Sequence, residues 1–408
     1  MKHGLLANLG WLSLSALLTV SCAKGDELPN EETPDLAPPA LPPWLSSARV
    51  LVSGRDVAND DCRTTICTHN ENTDLIRWKG AVYLVHRTAR SQILGPNSSL
   101  WIYRSTDEGH SFQKTAIIAA PTEKLKPLSG EDKARSGRDL RDPHFYVVGD
   151  SLHIKALTRL PVVSARDSNV DTIAVDVSTK DGENFSPFRV MTPTGYSLWR
   201  IKQSGGVYYS AAYQDGDTRV TLFSSPDGVS WSLGSVIYDV ATDTPLETEL
   251  EFLPSGKLLA LVRMDGLDDE LLGNSGRLRT KVCWASPPYT KFDCDQELLG
   301  QRLDGPISLS AQGRLFVLAR RHLQPTYKKR TSLFELIGTI DGGPLSWKLW
   351  GDLPSAGDTA YAGAVPSSGS RWLVSYYSGD VSEDLGWLPG MLGQSDIWTG
   401  VIDIAKLK

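Results

Sequence analysis

Three arginines of this 408-residue chain end nearly the same short phrase, and arginine is well suited to hold an anion. The segments KGAVYLVHR, SGKLLALVR and QGRLFVLAR end at Arg87, Arg263 and Arg320, each seven positions after a glycine. Tyr213 and Tyr376 stand at the same offset after two further glycines. Guanidinium groups bind carboxylates through paired N–H donors, so several of them near one axis would form an anion site. The alternative is that each arginine pairs with a carboxylate of the protein, the candidates being Asp142, Glu249 and Asp304.

The glycines of these phrases belong to a longer series, which predicts the elements that carry the arginines. Six glycines lie 50 to 69 residues apart, at Gly80, Gly149, Gly206, Gly256, Gly313 and Gly369. Each stands between two strand-like runs, as in a β-hairpin, because glycine tolerates the positive φ of a tight turn. A third strand-like run follows, and no segment has sustained helical periodicity.

Six such repeats predict an all-β protein, a six-bladed β-propeller, in which radial closure leaves only short strand edges. A pair of β-sandwiches is the alternative, but it would not produce this regular spacing. The ends of the chain fit a closed ring, since SARVLVSGR near the start lacks a sheet and we expect it to pair with SDIWTGVIDI near the end. The residue that ends the second strand of each hairpin would then lie at the mouth of a central funnel.

The turn after the third strand resembles the Asp-box turn of sialidases and their relatives. STDEGHSF, STKDGENF and SPDGVSW share a Ser-x-Asp-x-Gly-like form followed by an aromatic residue, and IDGGPLSW is a weaker copy. The aspartate would accept backbone N–H groups within the turn, and glycine would supply the unusual φ. The resemblance implies the sialidase-like propeller fold over residues 47–408. In that family these turns are structural, so no chemistry is assigned to them.

A second resemblance points to a site. The segment ETELEFLPSGKLLALVR, from Glu247 to Arg263, is similar to a sialidase segment that begins with an acid and ends with an arginine. The resemblance implies that Glu247 assists a tyrosine nucleophile and that Arg263 and Arg320 belong to a triad that grips a substrate carboxylate. The segment DTAYAGAVPSSG resembles the region that holds the nucleophile, which would be Tyr361. A tyrosine suits an attacked carbon that already bears a carboxylate, because a charged glutamate would be repelled there.

Two positions depart from the sialidase pattern. The first triad arginine normally begins an Arg-Ile-Pro segment, whereas here NENTDLI places Glu71 or Asn72 there. The loop that normally holds the acid/base aspartate reads TARSQILGPNSS and has no carboxylate. Asp142 is the nearest alternative acid, and the Arg141-Asp142-Pro segment also resembles a motif of five-bladed furanosidases.

These features support two hypotheses from different functional classes. The first is a sialidase-like glycoside hydrolase acting on an anionic or other terminal sugar, with Tyr361, Glu247 and Asp142 catalytic. Its substrate-binding residues would be Arg87, Arg141, Arg263, Arg320, Tyr213 and Tyr376. The second is a non-catalytic propeller that binds a glycan or a protein with the same rim, where these residues only brace one another.

The first residues predict export rather than fold. Residues 1–21 have the form of a secretory signal peptide, and Ser21-Cys22 resembles a bacterial lipoprotein cleavage site. Residues 22–46 are rich in proline and acid, as in an extended tether. We therefore expect a protein of the bacterial cell envelope, an outer-membrane lipoprotein anchored through Cys22, with simple secretion as the alternative.

Charge and cysteines limit the partners. The formal net charge is −6 with no basic stripe, so nucleic acid is not an expected partner. In an exported chain we expect the disulfides Cys62–Cys67 and Cys283–Cys294. A metal site is the alternative, but no ligand spacing recurs beside these cysteines, so we expect no metal and no cofactor. We expect a monomer whose partners are a glycan or glycoconjugate and, through the lipid, a membrane.

Overall fold

The computed structural model describes residues 41–93, 95–125, 137–160, 172–214, 218–265, 278–324, 326 and 328–408. The predicted signal peptide, Cys22 and most of the predicted tether lie outside these residues. In the described ranges the regular structure is almost entirely β-strand, with one six-residue α-helix. None of the helices in those ranges combines the length and the apolar character needed to cross a membrane.

The strands are numbered along the chain. The first nine are β1 (Leu45–Val52), β2 (His69–Trp78), β3 (Ala81–Ala89), β4 (Ser98–Ser105), β5 (Gln113–Ala119), β6 (Asp139–Val148), β7 (Ser151–Arg159), β8 (Ile173–Thr179) and β9 (Arg189–Val190). The next eight are β10 (Ser197–Ser204), β11 (Val207–Tyr213), β12 (Arg219–Ser225), β13 (Ser232–Asp239), β14 (Thr244–Phe252), β15 (Leu258–Asp265), β16 (Arg279–Ala285) and β17 (Asp293–Leu299). The remainder are β18 (Asp304–Ala311), β19 (Arg314–Leu323), β20 (Lys328–Gly338), β21 (Leu345–Asp352), β22 (Thr359–Pro366), β23 (Arg371–Gly379), helix α1 (Trp387–Leu392) and β24 (Ser395–Asp403).

These strands form antiparallel meanders of an all-β propeller. Strands β6–β9, β10–β13, β14–β17 and β18–β21 make four separate four-stranded sheets. The remaining eight strands make one sheet instead of the two that the repeat predicted. The physical reason is one parallel bridge between His69 of β2 and Ser395 of β24, which joins the meander β22–β23–β24–β1 to the meander β2–β5.

The ends of the chain meet as the sequence predicted. Strand β1 pairs antiparallel with β24, from Leu45 opposite Ile402 to Val52 opposite Ile397. A strand from the start of the chain therefore completes the sheet made by the last three strands, and the ring closes through backbone hydrogen bonds.

The hairpin glycines have the predicted conformation. Lys79 and Gly80 have φ of 47° and 75°, and Gln312 and Gly313 have φ of 53° and 72°. Two successive residues with positive φ form the type I′ turn, whose twist matches that of the flanking strands. The two-residue turns thus fix the register in which β2 pairs with β3 and β18 with β19.

The turns after the third strands are closed by their aspartates. Asp107 accepts the backbone N–H of Ser111, and Asp181 accepts those of Glu183 and Asn184. Asp227 does the same in its own turn. All three carboxylates lie at the surface, so their role is local.

Buried apolar clusters fill the space between consecutive meanders. One joins β2–β5 to β6–β9 through residues such as Val85, Leu100 and Ile154, and another joins the last meander to the first through Leu84 and Ile397. Four more such clusters connect the intervening meanders of the described chain. The predicted disulfides Cys62–Cys67 and Cys283–Cys294 are both formed.

Candidate functional site

A β-bulge in the opening strand of every hairpin builds the candidate site. Each of β2, β6, β10, β14, β18 and β22 has a register shift close to its N-terminal end. A bulge bends the strand and re-aims a side chain; here it brings bulge residues of different strands into contact, as Asn72 with Asp142 and Trp199 with Tyr361. Each shift encloses two residues, and the ones that matter to the site are Asn72, Asp142, Trp199, Glu247, Gly305 and Tyr361.

Several bulge residues have a backbone conformation that side chains rarely adopt. Asn72, Asp142 and Tyr361 have φ of 53°, 50° and 45°. Such conformations are sparsely populated in non-glycine residues and persist only where the surroundings hold them in place. The positive φ of these three bulge residues therefore costs folding free energy, and it presents a polar side chain in each case.

Tyr361, Glu247 and Arg263 form one hydrogen-bonded group, as their predicted roles require. The Tyr361 hydroxyl donates to Oε1 of Glu247 at 2.6 Å. Nη1 of Arg263 donates to both Glu247 oxygens at 2.9 and 2.8 Å and lies 3.2 Å from the Tyr361 hydroxyl. The side chains retain 9%, 5% and 8% of their exposure, so the group is nearly dry but not sealed.

Burial raises the pKa of both acids of this group, Tyr361 and Glu247. It raises the pKa of Tyr361 well above its usual range, and the charge of Glu247 adds to the effect. Burial also raises the pKa of Glu247, and Arg263 offsets only part of that rise. A carboxylate of raised pKa is a stronger base, and it is hydrogen-bonded to the proton it would have to remove from the tyrosine.

Arg263 is held on its other edge by two more carboxylates. Its Nε and Nη2 donate to the two oxygens of Asp265 at 2.7 and 3.0 Å, and Nε lies 3.3 Å from Asp304. Burial would raise the pKa of Asp304, but Arg263 and Arg302 hold it well below its usual range. His322 donates to the same aspartate at 2.8 Å.

Arg320 lies against the ring of Tyr361 but binds other partners. Its guanidinium carbon is 5.1 Å from the centre of that ring. Its Nη2 donates to Asp358 at 2.7 Å and to the Tyr377 hydroxyl at 2.8 Å, and Nε donates to the Thr359 carbonyl. Arg320 therefore buttresses Tyr361 from a buried position, with 2% of its surface exposed.

Arg87 is enclosed by carboxylates and has no exposed surface. Its Nη1 donates to Glu71 at 2.5 Å, and its Nη2 donates to both oxygens of Asp139 at 2.9 and 3.1 Å. Burial would raise the pKa of Glu71, yet chiefly Arg87 lowers it to about 2. Each of the three arginines thus has a carboxylate partner, although these partners differ from Asp142 and Glu249, and Asp304 is only a secondary one.

Asp142 stands beside Tyr361, close enough that its charge contributes to the raised pKa of the tyrosine. It accepts a hydrogen bond from Nδ2 of Asn72, and burial raises its own pKa despite Arg141 and Lys155. The Lys155 ammonium has no exposed surface and donates to the Asp142 carbonyl at 3.1 Å. Arg141 instead binds Asp139 and the Gln92 carbonyl, at 2.8 and 2.7 Å.

The two tyrosines predicted by the seven-residue offset are not brought into this group. Tyr213 lies in an apolar cluster with Leu250 and Met264. Tyr376 packs in another cluster and stacks on Trp398 at 6.1 Å, whereas its neighbour Tyr377 reaches Arg320.

The register of the last hairpin explains the displacement of Tyr376. Loops 253–257 and 367–371 both hold five residues, but the glycine is fourth in the first and third in the second. Counting seven from Gly369 therefore ends one residue short of the position that Arg263 occupies. In a strand, one residue reverses the face.

The spacing of acids and arginines in the sequence is a signal for the arginine partners. Glu71 and Arg87, Glu247 and Arg263, and Asp304 and Arg320 are all sixteen residues apart. In the first and last pairs the two residues face each other directly across the hairpin. An acid opposite each arginine is a cross-strand ion pair, which a hairpin of known turn length predicts.

Three buried groups in the described residues could together surround a cation. Nε2 of His69, Oε2 of Glu71 and Oδ2 of Asp358 lie within 4.8 Å of one another, and none has a hydrogen-bond partner. Nδ1 of His69 donates to the Gly393 carbonyl at 2.9 Å. The other oxygens of Glu71 and Asp358 already bind Arg87 and Arg320.

The fold belongs to the class of all-β propellers seen in sialidases. The chain is similar to Trypanosoma rangeli sialidase, solved with sialic acid, at 12% identity and a TM-score of 0.58, covering 88% of this chain and 59% of that one. It is similar to NanB sialidase from Streptococcus pneumoniae at 10% identity and a TM-score of 0.61, covering 85% of this chain and 70% of that one.

A further similar structure is a protein of unknown function from Dyadobacter fermentans, at 14% identity and a TM-score of 0.60, with 88% of this chain and 100% of that chain covered. Comparison with models of known families and with curated proteins finds no match. At identities this low the likeness establishes the fold and leaves the chemistry to be argued from the residues.

Proposed function

We propose that this protein is a sialidase-like glycoside hydrolase in which Tyr361 is the nucleophile and Glu247 its base. The observation that carries the proposal is the 2.6 Å hydrogen bond from the Tyr361 hydroxyl to Glu247, with Arg263 donating to the same carboxylate. A tyrosine hydroxyl is a weak nucleophile until a base takes its proton. The raised pKa of Glu247 suits it to do so.

The proposed reaction has two steps. In the first, the tyrosine oxygen bonds to the anomeric carbon while Glu247 takes the hydroxyl proton and the bond to the leaving group breaks. Asp142 supplies a proton to the leaving oxygen, which its raised pKa favours. In the second step water attacks the same carbon and gives a proton to Asp142, and Tyr361 leaves and regains its proton from Glu247. The anomeric configuration is retained.

The proposed architecture is a six-bladed propeller over residues 47–408. Six bulged opening strands and six apolar clusters favour counting the eight-stranded sheet as two blades joined at one bridge. The aspartate-closed turns at Asp107, Asp181 and Asp227 support the resemblance to Asp boxes.

The proposed location is the bacterial cell envelope. Residues 1–21 would direct export, and Cys22 would carry the lipid that anchors residues 22–46 as a tether, in keeping with two disulfides, which form and persist in oxidising compartments. The proposed partner is a glycan or glycoconjugate, and the proposed oligomeric state is a monomer.

A non-catalytic glycan-binding or protein-binding propeller is the second candidate. The observation in its favour is the saturation of the arginines by carboxylates, together with Glu71 near the place of the missing triad arginine. In that case the same contacts would serve only to brace the funnel.

The replacement Tyr361→Phe separates the two candidates. We expect the purified domain to hydrolyse at least one glycoside of a broad panel, and the variant to lose about 10³-fold or more in kcat because the attacking oxygen is gone. Tyr103→Phe on β4, where the ring stacks on His86, is the matched control and should keep wild-type turnover. A domain that hydrolyses nothing, or a Tyr361→Phe variant as active as wild type, would leave the binding candidate.

A further inference from the structure

We infer, on the basis of the proposed glycoside hydrolysis, that the substrate of this funnel is a neutral sugar. The protein's own carboxylates and other acceptors already occupy the guanidinium edges of Arg87, Arg263 and Arg320 that would grip an anionic sugar. An arginine has five N–H donors, so the donors left for a ligand can be counted.

Arg87 has no donor left. Nε donates to the Leu140 carbonyl, Nη1 to Glu71 and the Ser91 carbonyl, and Nη2 to both oxygens of Asp139. The side chain is also wholly buried. No sugar carboxylate reaches this guanidinium without first breaking two internal ion pairs.

Arg263 donates to the hydroxyl of the proposed nucleophile, and carboxylates of the protein bind both its Nε/Nη2 edge and its Nη1 atom. Asp265 binds the Nε/Nη2 edge in the two-point geometry that a substrate carboxylate would use. Nη1 is occupied by Glu247 and contacts Tyr361. A substrate anion would compete with carboxylates that the fold holds permanently in place.

In Arg320 only Nη1 takes no part in the hydrogen bonds of the side chain, and that atom lies 3.8 Å from Asp304. Its Nε and Nη2 are bound to Thr359, Asp358 and Tyr377. The ring of Tyr361 covers one face of the guanidinium at 5.1 Å. This arginine therefore supports the nucleophile and offers no paired donors to a ligand.

The partly exposed groups around Tyr361 instead suit hydroxyl donors. Asp265 keeps 26% of its side-chain surface, and Glu247 and Asp142 keep smaller fractions. Carboxylates accept hydrogen bonds from sugar hydroxyls, whereas an added carboxylate would meet like charges. A neutral tyrosine nucleophile also fits, because it adds no charge beside Glu247, Asp265 and Asp304 before its proton moves.

Matched pairs of aryl glycosides that differ only at C6 test the inference. Glucoside and glucuronide, galactoside and galacturonide, and mannoside and mannuronide are compared with an aryl sialoside. We expect the neutral member of at least one pair to have a kcat/KM more than about tenfold that of its acid, and the sialoside to be inert. Higher kcat/KM for an acid or for the sialoside overturns the inference.

The variant Asp265→Asn gives a second readout. It frees the Nε/Nη2 edge of Arg263, so the ratio of kcat/KM for acid over neutral sugar should rise about tenfold. The matched control is Asp239→Asn. Asp239 is the last residue of β13 and accepts a hydrogen bond from Arg219 of β12, so its replacement should leave the ratio unchanged. An unchanged ratio in Asp265→Asn would contradict the inference.

The failure of the proposed function is distinguishable from the failure of this inference. If no glycoside is hydrolysed, the hydrolase proposal fails, and calorimetric titration of the same domain with methyl glycosides and the corresponding uronides still decides the ligand class. Tighter binding of the uronides would then overturn the neutral-sugar inference, and tighter binding of the methyl glycosides would support it.

Discussion

Tyr361 on β22 donates a 2.6 Å hydrogen bond to Glu247 on β14, although 114 positions separate the two residues in the chain. Both side chains come from bulges in opening strands, and those strands belong to different sheets. Arg263, from the strand paired with β14, completes the group from the side. The candidate chemistry therefore depends on several meanders being correctly closed at once.

Removing the charge of Glu247 should separate proton transfer from binding. Glu247→Gln keeps the size of the side chain but cannot take the tyrosine proton, so we expect kcat to fall by about 10²–10⁴-fold. In the wild type, activity requires the ionised carboxylate, and burial raises its pKa. The acid limb of the kcat/KM profile should therefore lie above the ordinary glutamate range and disappear in the variant. Glu335→Gln, remote on β20, should keep the wild-type profile.

Gly305 makes room for the nucleophile. Its φ is 55°, and a Cβ there would lie 2.9 Å from the Tyr361 ring. Gly305→Ala should lower the free energy of unfolding by about 2–4 kcal/mol and reduce turnover by displacing the ring. Gly313→Ala is the control, since its φ is 72° but a Cβ would meet nothing within 4 Å. Urea denaturation should give about 1 kcal/mol for the control; equal losses in both variants would refute the steric explanation.

The buried ion pair of Glu71 and Arg87 should make the free energy of unfolding fall in acid. The pKa of Glu71 falls from an ordinary 4.5 to about 2 in the folded protein. A depressed carboxyl pKa stabilises the fold above about pH 4.5, and the stabilisation is lost as the pH falls toward 2. Glu71→Gln should therefore cost about 3 kcal/mol at neutral pH and progressively less in acid.

The control for Glu71 is a surface pair. Glu108 binds Arg77 with 54% of its side-chain surface exposed, so Glu108→Gln should change the unfolding free energy by less than about 1 kcal/mol. The measurement is chemical denaturation of both variants between pH 7 and the acid limit of folding. A difference between Glu71→Gln and wild type that does not shrink in acid would contradict the assignment.

The mature chain should begin at Cys22 and carry a diacylglycerol adduct. Several acyl chains anchor a protein stably, whereas one chain anchors it only marginally. Mass spectrometry of the unreduced protein from a membrane fraction checks both features, and Cys22→Ser should shift the protein to the soluble fraction. A mature chain that begins elsewhere removes the lipid anchor and leaves the propeller unaffected.

Local sequence rules predicted some of the residues of the candidate site. Alternation of strand residues and the glycine turns identified Arg87, Arg263 and Arg320 as equivalent positions. The sixteen-residue spacing predicts Glu71 and Glu247 as partners of the first two, but it does not predict Asp358, the main partner of Arg320. The same rule failed at Tyr376 because the glycine of loop 367–371 stands one position earlier than that of loop 253–257. A turn's length, and not only its glycine, sets the register.

The sequence by itself determined the hairpins, the short disulfides and the strand that closes the ring, because these depend on turn chemistry and on side-chain alternation over a few residues. The resemblance to sialidases predicted that Glu247 assists Tyr361, but only the tertiary structure decided the hydrogen bond that joins them. It alone also decided that Asn72 binds Asp142 and that Asp265 occupies the Nε/Nη2 edge of Arg263. The first two contacts cross between meanders at bulges, and a bulge changes the direction of a side chain without changing the period of its strand. The third depends on how a guanidinium turns between competing carboxylates, which is fixed by burial and hydrogen bonding in three dimensions.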